Sequence, residues 1–265
     1  MVNACLREGR GGSPTAVLWD AELSDTERCQ VPALAGASHA VFVQAGGDGA
    51  TLRFFTATGE LPACGHGTVA ALAFLAHAGQ RAEHRVTLRA GGRTMAGWVT
   101  REGGDMRAAF HPGPVALRAA TAQERQLALD VIGGAPGGEP CVGSVGRPRL
   151  LVALASRQAL TALTPDLDRL RRACEALGLL GCYVHTPAQA DGRLAARMFA
   201  PAIGVPEDVA NANGTACLAA RLGRGEIRVE MGDALGAPAT IIARALDGQV
   251  EVGGAARVVG ERELG

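Results

Sequence analysis

The run Val69-Ala70-Ala71-Leu72-Ala73-Phe74-Leu75-Ala76 decides the fold, because it is apolar at every position. Its length and composition predict a helix over residues 69–77, which Gly79 ends. A helix without a polar face is buried on all sides, so we expect a sheet to wrap around it. A second run of the same character, Ala216-Cys217-Leu218-Ala219-Ala220, predicts a second enclosed helix that Gly223 ends.

The two helices are preceded by the same order of elements. Each half predicts two strands, a loop and a short segment of small residues that opens the helix. These elements fall over 39–44, 51–56, 57–64 and 65–68 in the first half, and over 181–185, 194–199, 200–212 and 213–215 in the second. The spacing between the halves is nearly constant, since Phe199 follows Phe55 by 144 residues (199 − 55) and Thr215 follows Thr68 by 147 (215 − 68).

This correspondence indicates a duplicated domain with pseudo-two-fold symmetry and a site where the halves face each other. Chance similarity between two strand–loop–helix units is the alternative. The composition shifts to Gly and Pro over residues 112–140, which predicts a domain boundary there. We therefore expect an N-terminal domain over 1–115 and a C-terminal domain over 116–265, whose final strands cross back to the first.

Composition excludes several classes of function. The 265 residues carry 26 basic and 26 acidic side chains, so no net charge draws the chain to nucleic acid or to a membrane surface. No lysine occurs, which excludes Schiff-base chemistry and a phosphate-binding P-loop. No window reaches the ~20 uncharged apolar residues of a membrane span. The seven scattered cysteines form no CxxC pair, which predicts a cytoplasmic protein without disulfides or a metal site.

The starts of the two helices predict an anion site. The first amide groups of a helix have no partner within the helix, and the positive end of its dipole favours a negative charge. Two helix starts beside one cleft would hold the carboxylate of a small molecule. The expected substrate-binding residues are Cys64, Gly65, Gly67, Thr68, Asn211, Asn213, Gly214 and Thr215.

Three polar residues are candidates for proton transfer. His66 lies between two glycines at a helix start, where an imidazole can shuttle protons near neutral pH. His39 heads an apolar strand, where a polar side chain needs a partner or a role. Asp208 lies in the loop that matches the His66 loop, although Glu207 and Asp208 also fit a solvated acidic pair. His39, His66 and Asp208 are therefore the predicted catalytic residues.

Cys64 suggests a second chemistry, in which two thiols face each other across the carbon of an amino acid, as in some racemases. The duplication places the partner of Cys64 at position 211 (64 + 147), which is Asn211. Cys217 lies inside the predicted helix and is better explained as a packing residue. The second thiol of such a racemase is thus missing, and a cysteine-dependent racemase or epimerase stays the alternative.

Several segments, in order along the chain, resemble the PhzF-like isomerase family of phenazine biosynthesis, which belongs to the diaminopimelate epimerase/proline racemase superfamily. Glu60 to Ala71 resembles its E-x-x-x-CGHAT-x-A segment. Met198 to Asp208 resembles F-x-P-x-x-GV-x-EDP, and Asn211 to Gly214 resembles NANG. Gly12 to Val17 resembles GNPAAV, and Ser38 to Val43 resembles SETAFV.

The resemblance implies an α+β, diaminopimelate epimerase-like fold. Its two pseudo-symmetric domains would each be a curled, mostly antiparallel sheet around a central apolar helix. It also implies a homodimer and isomerisation by proton transfer without a cofactor. In the family a glutamate of SETAFV moves the proton, assisted by the histidine of CGHAT and the aspartate of EDP. Backbone amides near the helix starts hold the substrate carboxylate.

This sequence departs from the family pattern at the positions that matter most. His39 stands where the family has its glutamate, and Val209 replaces the proline after the aspartate. Gly67 replaces the alanine of CGHAT, and the TG before NANG is absent. A neutral imidazole can still act as the base for a proton that conjugation has made acidic.

We therefore expect a cofactor-independent isomerase that shifts a double bond in a small unsaturated carboxylic or amino acid. Phenazine-type and alkylproline-type precursors in secondary metabolism are the expected substrates. The altered site also leaves open a non-catalytic protein that binds a small acid on the same scaffold.

Overall fold

The computed structural model describes residues 1–47, 49–223 and 225–260. The strands are β1 Val2–Leu6, β2 Ser13–Trp19, β3 His39–Gly46, β4 Gly49–Thr56, β5 Gly59–Leu61, β6 Glu83–Ala90, β7 Arg93–Glu102, β8 Asp105–Phe110, β9 Ala116–Ala119, β10 Cys141–Val145, β11 Arg147–Ala153, β12 Cys182–His185, β13 Arg193–Ala200, β14 Val205–Asp208, β15 Gly225–Met231, β16 Ala239–Leu246 and β17 Gln249–Val258. The α-helices are α1 Asp25–Ala35, α2 Gly65–Ala78, α3 Ala122–Ile132, α4 Arg157–Thr161, α5 Leu167–Leu177 and α6 Ala212–Leu222. Short 3-10 helices cover Pro201–Ile203 and Asp233–Leu235.

Helix α2 is enclosed by a closed ring of strands. The hydrogen-bonded order is β1–β2–β3–β4–β6–β7–β8–β17, and β17 pairs back with β1. The helix is buried without a break from Gly65 to Ala73, as its uninterrupted apolar sequence predicts. The closed ring leaves the first turn of α2 as the part of the helix that reaches the rest of the molecule.

A second sheet curls around α6 in the order β9–β10–β11–β12–β13–β15–β16–β17. Helix α6 is buried from Ala212 to Ala219 and packs against β10, β16 and β17. The two enclosed helices predicted from the sequence are therefore confirmed. Among the helices of the described residues, none has the length and apolar character needed to cross a bilayer.

The connectivity of the two halves corresponds. Strands β2 and β3 are parallel with α1 between them, and β11 and β12 are parallel with α4 and α5 between them. Helix α2 joins the parallel strands β4 and β6 as α6 joins the parallel strands β13 and β15. This repeat supports duplication rather than chance similarity, and the predicted α+β fold with two pseudo-symmetric units is confirmed.

Strand β17 belongs to both sheets. Its register pairs Val252 with Phe110 of β8 and also with Ala243 of β16. The last strand of the described chain thus completes the ring around α2 and continues the sheet around α6. The boundary between residues 115 and 116 stays a prediction.

Both enclosed helices begin one turn earlier than the sequence predicted. Helix α2 begins at Gly65 rather than Val69, because the Cys64 carbonyl already accepts a hydrogen bond from the Thr68 amide at 2.9 Å. Helix α6 begins at Ala212, with Asn211 as its N-cap. The segments 65–68 and 213–215, which were predicted to open the helices, are therefore helical themselves. The predicted loops 57–64 and 200–212 contain the short strands β5 and β14. The predicted turn over residues 46–49 includes Asp48, which lies outside the described residues.

Candidate active site

The amino-terminal ends of α2 and α6 meet at the junction of the two sheets. A Cβ atom on Gly65 would lie 2.6 Å from the Cβ of Ala212 and 2.8 Å from the amide nitrogen of Asn213. Only glycine at position 65 permits this approach, because any side chain there would separate the helices. The two helix starts that the sequence analysis chose for binding a carboxylate are thus neighbours.

His66 links the two halves from the first turn of α2. Its Nδ1 lies 2.9 Å from the carbonyl oxygen of Ala210 and 3.7 Å from Oδ1 of Asp208. On the other side of the ring, Nε2 lies 3.5 Å from Sγ of Cys64. The carbonyl contact fixes the orientation of the imidazole, because a carbonyl can only accept a hydrogen bond and Nδ1 must therefore carry the proton.

His39 reaches the same place from the first residue of β3. Its ring meets the ring of His66 edge to face, with the centroids 4.5 Å apart and an angle of 84° between the planes. Its Nδ1 lies 2.8 Å from Oγ of Ser38. The His39 side chain is buried. The sequence analysis expected a partner for it at the head of this apolar strand, and the structure places the imidazole of His66 there.

Asp208 ends β14 and is also buried. Its Oδ2 accepts a hydrogen bond from Nδ2 of Asn211 at 2.9 Å, and Oδ1 accepts one from the amide of Ala210 at 3.3 Å. The neighbouring Glu207 points elsewhere and forms a two-pronged ion pair with Arg197 at 2.8 and 2.9 Å. The structure therefore separates the two acids, and only Asp208 joins the histidines.

The environments of the two histidines push their proton affinities apart. Burial, together with the charge of His66, lowers the pKa of His39 to about 3. Burial also acts to lower the pKa of His66, but Cys64 and Asp208 outweigh it and raise this pKa to about 10. A neutral imidazole thus lies against a protonated one, which is the arrangement of a base beside an acid.

The Asp208 carboxylate completes this charge distribution. Burial acts to raise its pKa, yet the imidazoles of His66 and His39 and the hydrogen bonds from Asn211 and Ala210 hold the pKa below its ordinary value. The negative charge of Asp208 is thus retained in the interior because the histidine beside it is positive.

The other residues predicted to bind substrate surround this cluster but are partly engaged in supporting the helices. The Thr68 hydroxyl donates to the Cys64 carbonyl at 2.8 Å, and Oδ1 of Asn211 accepts from the Gly214 amide at 2.7 Å. The Thr215 hydroxyl lies 2.8 Å from the hydroxyl of Tyr183. Gly67 and Gly214 pack closely against neighbouring side chains, and Asn213 is buried at the helix junction. Contact with a substrate stays a prediction for all of them.

Two buried residues near the site were missed by the sequence analysis. Cys5 is a non-glycine residue with a positive φ of 64°, and its buried thiol has a raised pKa because of burial and then of Asp208 and Cys64. Arg149 is 2% exposed on β11, and its Nε has no hydrogen-bond partner among the described residues. The available signal for Arg149 was a charged residue beside the apolar run that ends β11.

Three of the clustered side chains could hold a metal ion. One nitrogen from each of His39 and His66 and the sulfur of Cys64 lie within 4.8 Å of one another. All three residues are buried. The sequence analysis predicted no metal site, because the seven cysteines are scattered and form no CxxC pair.

Comparison with known proteins identifies the family. Residues 2–262 match the family PhzC-PhzF, phenazine biosynthesis-like protein. The chain belongs to the PhzC-PhzF family. The resemblance found in the sequence is therefore confirmed, and so is the prediction of an isomerase.

Named relatives of this PhzC-PhzF protein are isomerases. It is 32% identical to a trans-2,3-dihydro-3-hydroxyanthranilate isomerase of Pseudomonas fluorescens over 253 residues, or 91% of this chain and 87% of that protein. It is 31% identical to an uncharacterized isomerase of Deinococcus radiodurans, over 88% of this chain and 81% of the relative.

Solved structures show the same fold. A predicted epimerase from Pseudomonas aeruginosa superposes with a TM-score of 0.85 at 25% identity, covering 99% of this chain and 96% of that one. A probable proline racemase from Agrobacterium radiobacter has a TM-score of 0.64 at 10% identity, covering 98% and 92%. The second similarity extends the shared architecture to proline racemase-like proteins.

Proposed function

We propose that this protein shifts a double bond in a small unsaturated carboxylic or amino acid by proton transfer, without a cofactor. The observation that carries the proposal is the contact between His39 and His66 beside the Asp208 carboxylate, in surroundings that lower the pKa of His39 and raise the pKa of His66. These three residues come from different elements, and they meet where two helix starts converge. Helix amides supply the charge that a carboxylate needs, and the imidazoles supply the acid and the base.

The substrate loses one proton and gains one, and the two histidines regain their starting states when the proton on His39 passes to His66 or exchanges with solvent. His39 accepts a proton from carbon, and the electron pair of the broken C–H bond moves the double bond along the conjugated chain. His66 donates a proton to the carbon at the far end, where the new C–H bond forms. Asp208 stabilises the positive charge of His66 before it donates its proton, and that of His39 after it accepts one. A bound carboxylate beside His39 raises the basicity of this imidazole, because a nearby negative charge favours the protonated form.

Turnover in D2O tests the proposal. We expect the product to carry deuterium on the carbon that receives the proton, measured by mass spectrometry and NMR. If the abstracted proton returns to the substrate without exchanging, no solvent deuterium enters the product. A substrate deuterated at the reacting carbon and turned over in H2O detects this case. Loss of the label from the reacting carbon supports the proposal, whether the label passes to solvent or through the contacting imidazoles to the far end of the double bond. Product that retains the label on its original carbon contradicts it.

A cysteine-dependent racemase is the second candidate, because Sγ of Cys64 lies 3.5 Å from Nε2 of His66. A thiol beside an imidazole can become a nucleophile or a base. Inactivation by iodoacetamide, with protection by the substrate, would support this function, and full activity of Cys64→Ser would exclude it. Cys217 packs against Gly143 and Arg149 instead of joining the cluster.

The substrate and setting belong to the same proposal. We expect precursors of phenazine type, like the substrate named for the Pseudomonas fluorescens relative, or unsaturated pyrroline carboxylates that lead to alkylprolines. The expected setting is secondary metabolism in the cytoplasm, and the expected assembly is a homodimer. Turnover of both compound classes and light scattering of the purified protein test these points. Binding of the acids without any turnover would instead indicate a non-catalytic acid-binding protein.

A further inference from the structure

We propose that His39, Cys64 and His66 form a binding site for Zn²⁺, and that the bound ion blocks proton transfer at this site. The binding rests on the geometry of these side chains alone. The inhibition also rests on the proposed function, because it concerns the same imidazoles.

The spacing of the ligand atoms suits one shared ion. Zinc binds histidine nitrogen at about 2.0 Å and cysteine sulfur at about 2.3 Å, so two ligand atoms of one tetrahedral ion lie roughly 3.5 Å apart. The distance from Cys64 Sγ to His66 Nε2 is 3.5 Å, and the whole set lies within 4.8 Å. A small movement of the His39 ring would place the three ligand atoms at three of the four positions of a tetrahedral ion.

Both imidazoles have the outer contact that orients a metal-binding histidine. Metal-bound histidines usually donate their second ring nitrogen to a carbonyl or another acceptor, which fixes the ring and its tautomer. His66 has the Ala210 carbonyl at 2.9 Å from Nδ1, and His39 has the Ser38 hydroxyl at 2.8 Å from Nδ1. The remaining nitrogen of each ring is the one available to the ion.

The ligand set selects the kind of ion. Thiolate and imidazole suit zinc and related transition metals, whereas Mg²⁺ and Ca²⁺ prefer oxygen ligands. The Asp208 carboxylate lies on the Nδ1 side of His66, at 3.7 Å, and it is therefore left outside the coordinating set. Three protein ligands leave the fourth position of a tetrahedral ion open to water.

Binding has a defined proton balance. The ion forms bonds to Sγ of Cys64 and to one nitrogen of each imidazole. The protons that the Cys64 thiol and the facing nitrogen of His66 carried leave to solvent. The lone pair of His39 is then occupied by the ion, so His39 cannot accept a proton from a substrate carbon. All three side chains are buried, so the ion is held away from bulk solvent.

Cobalt provides the direct test, because a thiolate bound to Co²⁺ gives an intense charge-transfer band in the near ultraviolet. We expect chelator-treated full-length protein to take up one Co²⁺ per chain with this band, and Zn²⁺ to abolish the band by displacement. Cys64→Ser should lose the band, and His39→Ala should weaken Co²⁺ binding at least tenfold. Cys29→Ser is the control, because Cys29 lies in α1 outside the cluster and should bind as the parent does. Absence of the band from the parent, or a band unchanged in Cys64→Ser, would overturn the site.

Inhibition is measured separately, by solvent-deuterium incorporation with and without one equivalent of Zn²⁺. We expect loss of at least nine-tenths of the exchange and its recovery after EDTA. Stoichiometric binding with unchanged exchange would overturn the inhibition and leave the site standing. A protein that binds Co²⁺ as expected but, when free of metal, neither exchanges the substrate proton with solvent nor moves it along the substrate would refute the proposed function and not the metal site.

Discussion

His39 and His66 touch each other, yet their environments give them opposite charges at neutral pH. His39 has to be neutral to accept a proton, so activity should fall only as the pH drops toward about 3. His66 has to be protonated to donate, so activity should fall as the pH rises through about 10. We expect kcat/KM to be flat across the neutral range, measured as a pH–rate profile. A decline centred near pH 6.5, the ordinary value for histidine, would contradict this assignment.

Asp208→Asn tests what holds the proton on His66. Loss of the negative charge should lower the pKa of His66, so the alkaline limb of the pH–rate profile should move to lower pH. The rate should also fall by about 10²-fold, because the acid is less often protonated and less well oriented. Glu207→Gln is the control, since Glu207 pairs with Arg197 and should leave the alkaline limb in place. If the alkaline limb of the Asp208→Asn profile does not move, Asp208 does not raise the pKa of His66, and Cys64 would be its main cause.

The buried charge of Arg149 should lower the stability of the folded protein. Its guanidinium is buried without a carboxylate in contact, and its Nε is unsatisfied among the described residues. Arg149→Met keeps the length of the side chain and removes the buried charge. We expect the free energy of unfolding in urea to rise by about 1 kcal/mol. A loss of stability in Arg149→Met would show that the charge has an anionic partner in the folded protein.

At this scale the sequence predicted more of the chemistry than of its surroundings. His39 was predicted because it heads an apolar strand, His66 because it lies between glycines at a helix start, and Asp208 because its loop matches the His66 loop. The structure places all three together, and their catalytic roles stay predictions. Cys5 and Arg149 were missed because nothing local shows which buried atoms will face them. Their importance arises from contacts with strands far away in the chain.

The junction of α2 and α6 depends on the absence of a side chain at residue 65. In Gly65→Ala the new methyl would press on Ala212 and on the amide of Asn213, so we expect a loss of about 1–3 kcal/mol in the free energy of unfolding and a loss of activity. Gly79→Ala is the matched control at the other end of α2. A Cβ there meets its nearest atom at 3.3 Å, and the residue has a right-handed conformation. Equal effects of the two substitutions would show that the helix junction is loose.

The elements that the sequence predicted well are those whose burial pattern is strong. Both enclosed helices could be predicted, since an apolar helix has few alternatives to a sheet around it. The first turn of α2 could not be predicted, because Gly65-His66-Gly67 is a poor helix-forming segment. It is helical here, since the first amides of a helix need no partner within the helix. Helix α1 and strands β1 and β2 were not predicted, because their sequences mix polar and apolar residues with little periodicity.

The two sheets share a strand, so the molecule should unfold as one unit. Both tryptophans, Trp19 and Trp98, report on the ring around α2, whereas Cys182 reports on the sheet around α6. We expect tryptophan fluorescence and pulsed labelling of Cys182, read by mass spectrometry, to give the same urea midpoint. Midpoints that differ clearly would mean that β17 does not couple the halves.

The whole-molecule arrangement is where sequence analysis reaches its limit. The repeat of spacing between the halves predicted the pseudo-symmetry, and short-range patterns predicted two strands before each enclosed helix. The closure of the first ring joins Phe110 to Val252, and no local pattern contains that information. Pairing between distant strands is decided by packing around the enclosed helix.

Strand β17 also affects how the newly made chain can fold. It follows every other described element, and until it leaves the ribosome the edges of β1, β8 and β16 lack the neighbour they have in the folded protein. Exposed strand edges favour association between nascent chains. Neither half can finish folding before β17 has been synthesised, so the unfinished polypeptide should rely on chaperones more than a protein whose domains close one after the other.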